Sequence, residues 1–282
     1  ALAAVGSTSS LINLLVNLFI GLSVGTNVVI ARYIGAKQDR SVKDTVHTSI
    51  TVSLISGVFL GLVGLIMARR FLIWMGSPED VLNLSALYLR IYFLGMPATL
   101  LYNFGAAILR AKGDTKRPLY YLFLSGVINI LLNLFLVIEV GLGVAGVAIA
   151  TIVSQWISAY LVFLCLKKED GPIRLNVKEL RINKACLREI ASIGLPAGIQ
   201  SSLFSLSNVI IQSSVNSFGS TIMAGNAAGQ NLEGFIYVTM NAFSQAAMTF
   251  IGQNIGANKI HRVREILLKS LIMVAIVGAV IS

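Results

Sequence analysis

The chain has 282 residues, of which 56% are hydrophobic and 12% are charged, whereas a soluble domain carries roughly 25% charged residues. This composition excludes an ordinary soluble protein and indicates an integral membrane protein. The net charge of +10 does not point to nucleic acid, because the basic residues are spread over several loops. We therefore expect the lipid bilayer as a partner and no nucleic acid.

Long segments without charged side chains predict eight membrane-spanning helices, since a bilayer needs about 20 apolar residues per helix. The predicted spans are residues 3–32, 45–68, 85–109, 118–138, 143–166, 190–216, 222–253 and 265–282. The sixth and seventh spans are separated at residues 214–220, where Ser, Asn and Gly favour a turn. The fold class predicted from this pattern is all-α.

The loops after the first, third, fifth and seventh spans are basic, whereas the alternate loops carry only Arg69 and Arg70. The basic residues are Arg32, Lys37, Arg40 and Lys43; Arg110, Lys112, Lys116 and Arg117; seven residues between Lys167 and Arg188; and Lys259, Arg262 and Arg264. The positive-inside rule places these loops in the cytoplasm. Cys165 and Cys186 have no metal or redox spacing, and we expect free thiols.

A short motif occurs twice: "ARYIGAKQDRSV" at residues 31–42 resembles "GQNIGANKIHRV" at residues 252–263, displaced by 221 positions (256 − 35). Six predicted spans end between the two copies, so both copies face the same side and the halves form a parallel repeat. This predicts an amino-terminal bundle over 1–166, an inter-bundle loop over 167–189 and the start of a carboxy-terminal bundle over 190–282. We expect Gly35 and Gly256 to close their helices in the left-handed conformation.

The repeat also predicts one helix before the first residue and about 105 residues after the last (166 + 221 − 282). No basic segment precedes the first apolar run, so a cleaved signal peptide is not expected. Pro97 and Pro196 are expected to interrupt or bend their helices, because proline removes a backbone hydrogen bond. Pro97 lies mid-span and is compatible with either a fixed kink or a hinge. His47 and His261 are expected at the membrane interface.

Five predicted spans carry polar side chains at helical spacing, as expected where helices line a shared aqueous cavity. These stripes are Asn13 and Asn17; Ser125, Asn129 and Asn133; Thr151, Gln155 and Ser158; Ser201, Ser205, Asn208, Gln212 and Asn216; and Asn226, Gln230, Glu233, Tyr237, Asn241 and Gln245. Amides and hydroxyls also join helices through hydrogen bonds. A single polar residue is therefore compatible with either role.

Glu233 is the one carboxylate well inside a predicted span. A charge near the middle of the bilayer costs on the order of 3 kcal/mol on insertion scales and usually serves ion or substrate binding. Desolvation would favour its protonated form, as a proton carrier requires, and the ionised form could ligate Na⁺ or attract an organic cation. A hydrogen-bonded structural acid is the alternative.

Several motifs, in order along nearly the whole chain, resemble the multidrug and toxic compound extrusion (MATE) family. They are "VVIARYIGAKQDRSV", "GMPATLLYNFGAAILRAKGDTKRPLYY", "VINILLNLFLV", "GLGVAGVAIATIVSQ" and "GLPAGIQSSLFSLSNVIIQ". The resemblance implies two six-helix bundles, of which this chain would supply helices two to eight and the start of nine. The acid that some members carry in the helix after the central loop is absent here, because Ile190–Asn216 contains no Asp or Glu.

The same resemblance implies a secondary antiporter that exports organic, often cationic, compounds in exchange for Na⁺ or H⁺. We expect it to be a multi-pass monomer of the bacterial inner membrane, with no cofactor besides the coupling ion. The predicted cation and substrate site comprises Asn13, Asn17, Asn129, Asn133, Asn208, Gln212, Asn226, Gln230, Glu233, Tyr237 and Asn241.

A flippase of lipid-linked saccharides with the same architecture is the alternative function. It is disfavoured because only Arg90 among the basic residues falls deep within a span. An enzyme is not expected, since no nucleophile with a base and no cluster of metal ligands is present in the spans. A Gly-rich phosphate loop is also missing, so ATP is not the expected energy source.

Overall fold

The computed structural model describes residues 2–74, 79–216 and 220–281, with side chains for residues 16–74, 82–208, 211, 229, 233, 234 and 236–280. Its regular structure in these ranges is entirely helical. The helices are α1 (Leu2–Gly35), α2 (Asp39–Trp74), α3 (Glu79–Leu94), α4 (Met96–Lys112), α5 (Lys116–Leu134, continued by a π-helical turn Phe135–Glu139), α6 (Gly143–Lys168), α7 (Lys184–Asn216), α8 (Ser220–Gly256) and α9 (Ile260–Ile281); Val177–Glu179 forms a 3-10 turn.

Each of the eight predicted spans corresponds to helical structure, which confirms the all-α class. Four segments in the described ranges are long and apolar enough to cross a bilayer: Val16–Gly35, Asp39–Trp74, Lys116–Glu139 and Gly143–Lys168. The pair Leu82–Leu94 and Met96–Lys112 makes a fifth if it is one bent span. Membrane crossing by α7, α8 and α9 stays a prediction.

The third predicted span is broken at Gly95, where α3 and α4 meet at a bend of 46°. Pro97 has no N–H to continue the helical ladder, and the Gly95 N–H bonds the Tyr92 carbonyl oxygen at 2.9 Å in a tighter turn. Glycines of α2 accommodate the bend: a Cβ on Gly57 would lie 2.5 Å from Pro97 Cα, and one on Gly64 would overlap the Phe93 ring. The bend therefore fits into a groove on α2.

Pro196, by contrast, lies inside one continuous helix. Of the two predicted effects, the interruption is therefore wrong, and a bend at Pro196 stays a prediction. The helix starts at Lys184, six residues before the predicted span, so Pro196 falls more than three turns into α7. In membrane helices, neighbouring groups can satisfy the backbone carbonyl that a proline leaves free.

The described core belongs mainly to α1–α6 and has two parts joined around α1. One part contains Ile30, Val46, Ile50, Ile108, Leu109, Leu166 and Ile173, and the other contains Leu60, Leu72, Leu89, Phe93, Met96 and Leu100. Leu22, Val29, Phe104 and Ile190 of α7 form a smaller cluster between them. Because α1 contacts α2, α3, α4, α7 and α8, it is the central helix of the described structure.

The four basic loops lie together at one end of the bundle, which we call the basic end. Glu169, which follows α6, is 7% exposed and forms ion pairs with Lys112 of α4 and Arg117 of α5. Arg117 also pairs with Asp114 and donates from Nη1 to the sulfur of buried Cys165 at 3.2 Å. Glu169 thus fastens three helices at this end. Cys165 and Cys186 are both free, as predicted.

The loop between α6 and α7 is attached to α2 and does not hang free. His47 is 2% exposed, contacts the Lys43 carbonyl oxygen through Nδ1 at 2.7 Å and accepts from the Asn176 N–H at Nε2 at 3.1 Å. These two bonds require the neutral ring with its proton on Nδ1. His47 is therefore buried against the loop, whereas His261 is exposed, and the position of both at the depth of the membrane interface stays a prediction.

Two further bonds continue this attachment to the start of α7. The Asn183 N–H donates to Thr48 Oγ1 at 3.0 Å, and Asn183 Oδ1 accepts from the Ala185 N–H at 3.0 Å as a helix cap. Arg181 pairs with Asp44 of α2 at 2.7 Å. The loop is therefore part of the α1–α6 body.

Candidate functional site

The polar stripes of α5 and α6 face one another within the first bundle. Asn129 Nδ2 donates to Ser154 Oγ at 3.3 Å, and Asn133 Nδ2 donates to Asn129 Oδ1 at 3.1 Å. All three side chains are buried or half-buried. The two predicted asparagines therefore share one hydrogen-bonded cluster, with amide oxygens that a cation or a polar substrate group could engage.

Other members of these stripes bond within their own helices. The Thr151 hydroxyl donates to the Val147 carbonyl oxygen, and the Ser125 and Ser158 hydroxyls bond carbonyl oxygens three residues earlier. Ser154 makes an internal bond of the same kind, to the Thr151 carbonyl oxygen, but it also accepts from Asn129 of the neighbouring helix. We therefore regard Asn129, Asn133 and Ser154 as the centre of this cluster.

The stripe of α7 meets α1 and α8. Asn17 Nδ2 of α1 donates to Ser205 Oγ at 2.9 Å, and the Phe204 ring stacks on Tyr237 with centroids 6.1 Å apart and planes at 10°. Phe204 was missed from the sequence, although it lies one residue from Ser205 on the stripe. An exposed phenylalanine carries no signal in a membrane protein, because lipid-facing positions are apolar as well.

Glu233 lies on α8, one turn before Tyr237, and its side chain is exposed. Among the side chains that the structure describes, no Lys or Arg pairs with it. Asn208 and Asn241 are also exposed. The remaining predicted site residues, Asn13, Gln212, Asn226 and Gln230, lie outside the described side chains.

The two copies of the sequence motif meet at the basic end, where α1 and α8 converge. Thr249 Oγ1 of α8 donates to Asn27 Oδ1 of α1 at 3.0 Å, with both residues buried. A Cβ on Gly35 would overlap the Gln253 carbonyl oxygen, and a Cβ on Gly256 would overlap the Arg32 carbonyl oxygen. Glycine is needed at both positions for close approach of the helices.

Both helices end at the predicted glycine, but the left-handed residue of each turn lies two positions later, so the predicted left-handed conformation of Gly35 and Gly256 was wrong. Lys37 has φ 56° and Asn258 has φ 55°, and 37 and 258 are again 221 positions apart. The Lys37 N–H bonds the Ile34 carbonyl oxygen and the Asn258 N–H bonds the Ile255 carbonyl oxygen, each at 3.0 Å. The two turns have the same backbone structure.

Glycines also bring α1 and α7 into backbone contact. A Cβ on Gly194 would lie 2.6 Å from Leu22 Cα, and one on Gly198 would lie 2.6 Å from the Leu18 carbonyl oxygen. On α1, Gly21 and Gly25 face the same stretch. The spacing of four in "GLSVG" and "GLPAG" is the small-residue pattern of close membrane helix pairs, a signal that could have identified this interface.

Near the basic end, side chains strengthen the same interface. Glu189 of α7 forms an ion pair with Arg32 and accepts from the Tyr33 hydroxyl at 2.8 Å. These groups are partly exposed, so the pair contributes little stability by itself. It fixes the register of α7 along α1.

Within the described residues, no three His, Cys, Asp or Glu side chains are close enough to hold a metal ion together. The molecule instead has apolar helices, a close interface between its two repeats, and polar clusters on the helices beside that interface. These features define a polytopic helical membrane protein built from a parallel repeat, an architecture that many membrane transporters share.

Comparisons with known proteins give the family. The MatE family matches residues 1–135 and 196–282, which is most of the chain, and the chain belongs to this family. Members of the family are transporters and not enzymes. The resemblance seen in the sequence motifs is thereby confirmed.

Relatives and a solved structure agree. The chain is 32% identical to "Probable multidrug resistance protein YoeA" of Bacillus subtilis over 100% of its own length and 62% of the relative. It is 27% identical to an FAD transporter of Shewanella oneidensis over 96% of the chain and 61% of the relative. A crystal structure of a MATE protein in the bent conformation superposes with TM-score 0.89 at 25% identity, covering 96% of this chain and 61% of that one. The chain thus spans about three fifths of these proteins.

Proposed function

We propose that this protein is a secondary active antiporter that exports organic, often cationic, compounds in exchange for Na⁺ or H⁺. It works by alternating access between its two bundles. The observation that carries the proposal is Glu233, an exposed carboxylate on the α8 stripe without a Lys or Arg partner among the described side chains. An unpaired acid within an apolar helix is favourable only if a transported cation or a proton balances its charge.

Groups without charge on α5, α7 and α8 give the substrate a neutral surface. Asn129 and Asn133 in α5 supply amide oxygens, and the stacked pair Phe204 and Tyr237 supplies an aromatic face, which attracts organic cations. We assign the binding of polar and aromatic parts of the substrate to these groups, and coupling to Glu233.

We further propose that the protein lies in the bacterial inner membrane as a monomer, with the basic end in the cytoplasm. The coupling ion, Na⁺ or H⁺, is its only cofactor.

A flippase of lipid-linked saccharides is the second candidate and has weaker support. Such a protein needs a cationic surface for pyrophosphate. Arg90, the one basic residue predicted deep in a span, is exposed on α3, and the polar clusters described above contain amides, hydroxyls and one carboxylate. They favour a cation over a pyrophosphate.

The test is efflux of a cationic dye such as ethidium by the protein expressed from its complete gene, under an imposed Na⁺ or H⁺ gradient. Glu233→Gln removes the charge and keeps the shape, so we expect near wild-type expression and loss of most ion-driven efflux. Glu233→Asp should be partly active. Asn129→Ala removes a neutral hydrogen bond of about 1 kcal/mol and should shift substrate preference mildly.

The matched control is Glu139→Gln, which neutralises an exposed acid at the end of α5 and should leave efflux unchanged. Comparing the two gradients identifies the coupling ion. Wild-type efflux by Glu233→Gln would show that Glu233 is structural and that coupling resides elsewhere.

A further inference from the structure

The contact between α1 and α8 at the basic end is reciprocal. In the repeat, which has an offset of 221 residues, Gly35 is equivalent to Gly256 and Arg32 is equivalent to Gln253. The overlap of a Gly35 Cβ with Gln253 is therefore matched by the overlap of a Gly256 Cβ with Arg32. Each repeat presents the same surface to the other, as in a two-fold symmetric dimer interface.

A local two-fold axis passes close to Ala31 and Gly252, which are also 221 positions apart. A Cβ on Gly252 would lie 3.1 Å from the Ala31 Cβ. Two equivalent positions can touch each other only where they lie beside the axis. We call the contact around this axis, formed by residues 31–35 and 252–256, the glycine seal.

In the part of α8 whose side chains the structure describes, the hydrogen bonds to the first bundle lie near the seal. The side chains of α8 from Glu233 to Ser244 are exposed or half-exposed in the described part. Side-chain bonds to the first bundle occur at Thr249, which meets Asn27, and at Gln253, whose Nε2 donates to the Ala111 carbonyl oxygen at 2.8 Å. The attachment thus depends on neutral hydrogen bonds and close backbone packing at one end.

The attachment of α7 is different, because it extends along the helix. It includes Asn183 on Thr48 of α2, Glu189 on Arg32 and Ser205 on Asn17. The four glycines of the α1–α7 interface lie between these contacts. Breaking this interface requires separating two backbones over several turns.

We propose that the glycine seal is the gate of the basic end, and that the α1–α7 glycine interface is the fixed pivot about which it opens. The seal opens and recloses as one unit because its two halves are equivalent. A side chain at Gly35 or Gly256 prevents closure, whereas a side chain at the pivot prevents folding. The link to alternating access rests on the proposed function, but the opening itself can be measured without transport.

The first experiment uses the full protein with Cys165 and Cys186 replaced by serine and Thr249→Cys as a reporter beneath the seal. An impermeant maleimide is applied to the basic end in membrane vesicles, without substrate or ion gradient. We expect Gly35→Ala and Gly256→Ala to raise the labelling rate at least tenfold while expression stays near wild type. Gly234→Ala is the control in α8, because a Cβ there meets nothing within 4 Å.

Gly198→Ala should instead lower the yield of folded protein without a gain in labelling of the folded fraction. The proposal is wrong if the seal variants label like Gly234→Ala. It is also wrong if Gly198→Ala folds normally and opens the reporter site.

The second experiment joins the seal with the pair Ala31→Cys and Gly252→Cys, again without the native cysteines. Their Cβ atoms would lie 3.1 Å apart, a few tenths of an ångström below the range of disulfides, so oxidation should join them once the two helices separate slightly. We expect the cross-link to abolish dye efflux and reduction to restore it. Continued efflux by cross-linked protein overturns the gate. Absent efflux in the reduced form, with normal labelling behaviour in the first experiment, overturns the proposed function and leaves the gate standing.

Discussion

Glu169→Gln should weaken the basic end measurably, because this buried carboxylate joins three helices. Removing one partner of a buried ion pair costs about 3–5 kcal/mol. Lys112 and Arg117 are 46% and 40% exposed, so water compensates part of the loss, and fully exposed pairs are worth about 0–1 kcal/mol. We therefore expect the free energy of unfolding to fall by about 1–3 kcal/mol at pH 7.

The pH dependence gives a second, independent check. Burial raises the pKa of Glu169, but hydrogen bonds from Lys112 and Arg117 outweigh it and hold the pKa below the ordinary value of 4.5. A carboxyl group with a lowered pKa stabilises the fold above its unfolded-state pKa. The difference between wild type and Glu169→Gln should be complete at pH 7 and shrink as the pH falls below about 4.5.

Cys165 provides the assay, since it is buried against Arg117. With Cys186 replaced by serine, a thiol-reactive dye should label Cys165 at lower temperature or denaturant in Glu169→Gln than in the parent. Glu265→Gln removes an exposed pair with Lys269 and serves as the control. Equal unfolding of Glu169→Gln and parent at pH 7, or a difference that persists undiminished at low pH, would refute this account of Glu169.

Two further predictions concern the loops. His47→Ala removes the acceptor of the Asn176 N–H, so trypsin should cut after Lys178 and Arg181 severalfold faster than in the exposed-site control His261→Ala; equal rates would mean that His47 does not hold the loop. For orientation, Lys37→Cys and Asn176→Cys should react with an impermeant thiol reagent only from the cytoplasmic side. Their modification from outside intact cells would reverse the topology.

The helices could be predicted from the sequence because a bilayer demands apolar side chains along a whole span. The ends of the helices were harder to predict, because charged residues do not end a helix. The predicted span stopped at residue 68, whereas α2 continues through Arg69 and Arg70 to Trp74. The break before Pro97 was detectable, because proline disrupts the ladder wherever it falls mid-helix. The size of the bend, 46°, could not be predicted, because it also depends on Gly57 and Gly64 of another helix.

Residues that act through distant partners were harder to interpret. Helical period placed Asn129 and Asn133 on one face correctly, because that relation is local. The burial of His47 depends on Asn176, 129 residues away. Likewise, α1 ends at Gly35 as predicted, but glycine is required there by the close approach of Gln253 from the other repeat and not by a left-handed conformation. A single motif does not show which requirement a glycine meets.

The attachment of Asn183 determines how the bundles are tied together. Its N–H is held by Thr48 of α2 while its side-chain oxygen caps α7, so no slack chain separates the first body from the first turn of the next. A connection without a flexible linker cannot extend, so the start of α7 stays at a fixed distance from α2. The foot of α7 is therefore tethered to α2 with no flexible linker between them, which keeps the two bundles side by side at this point.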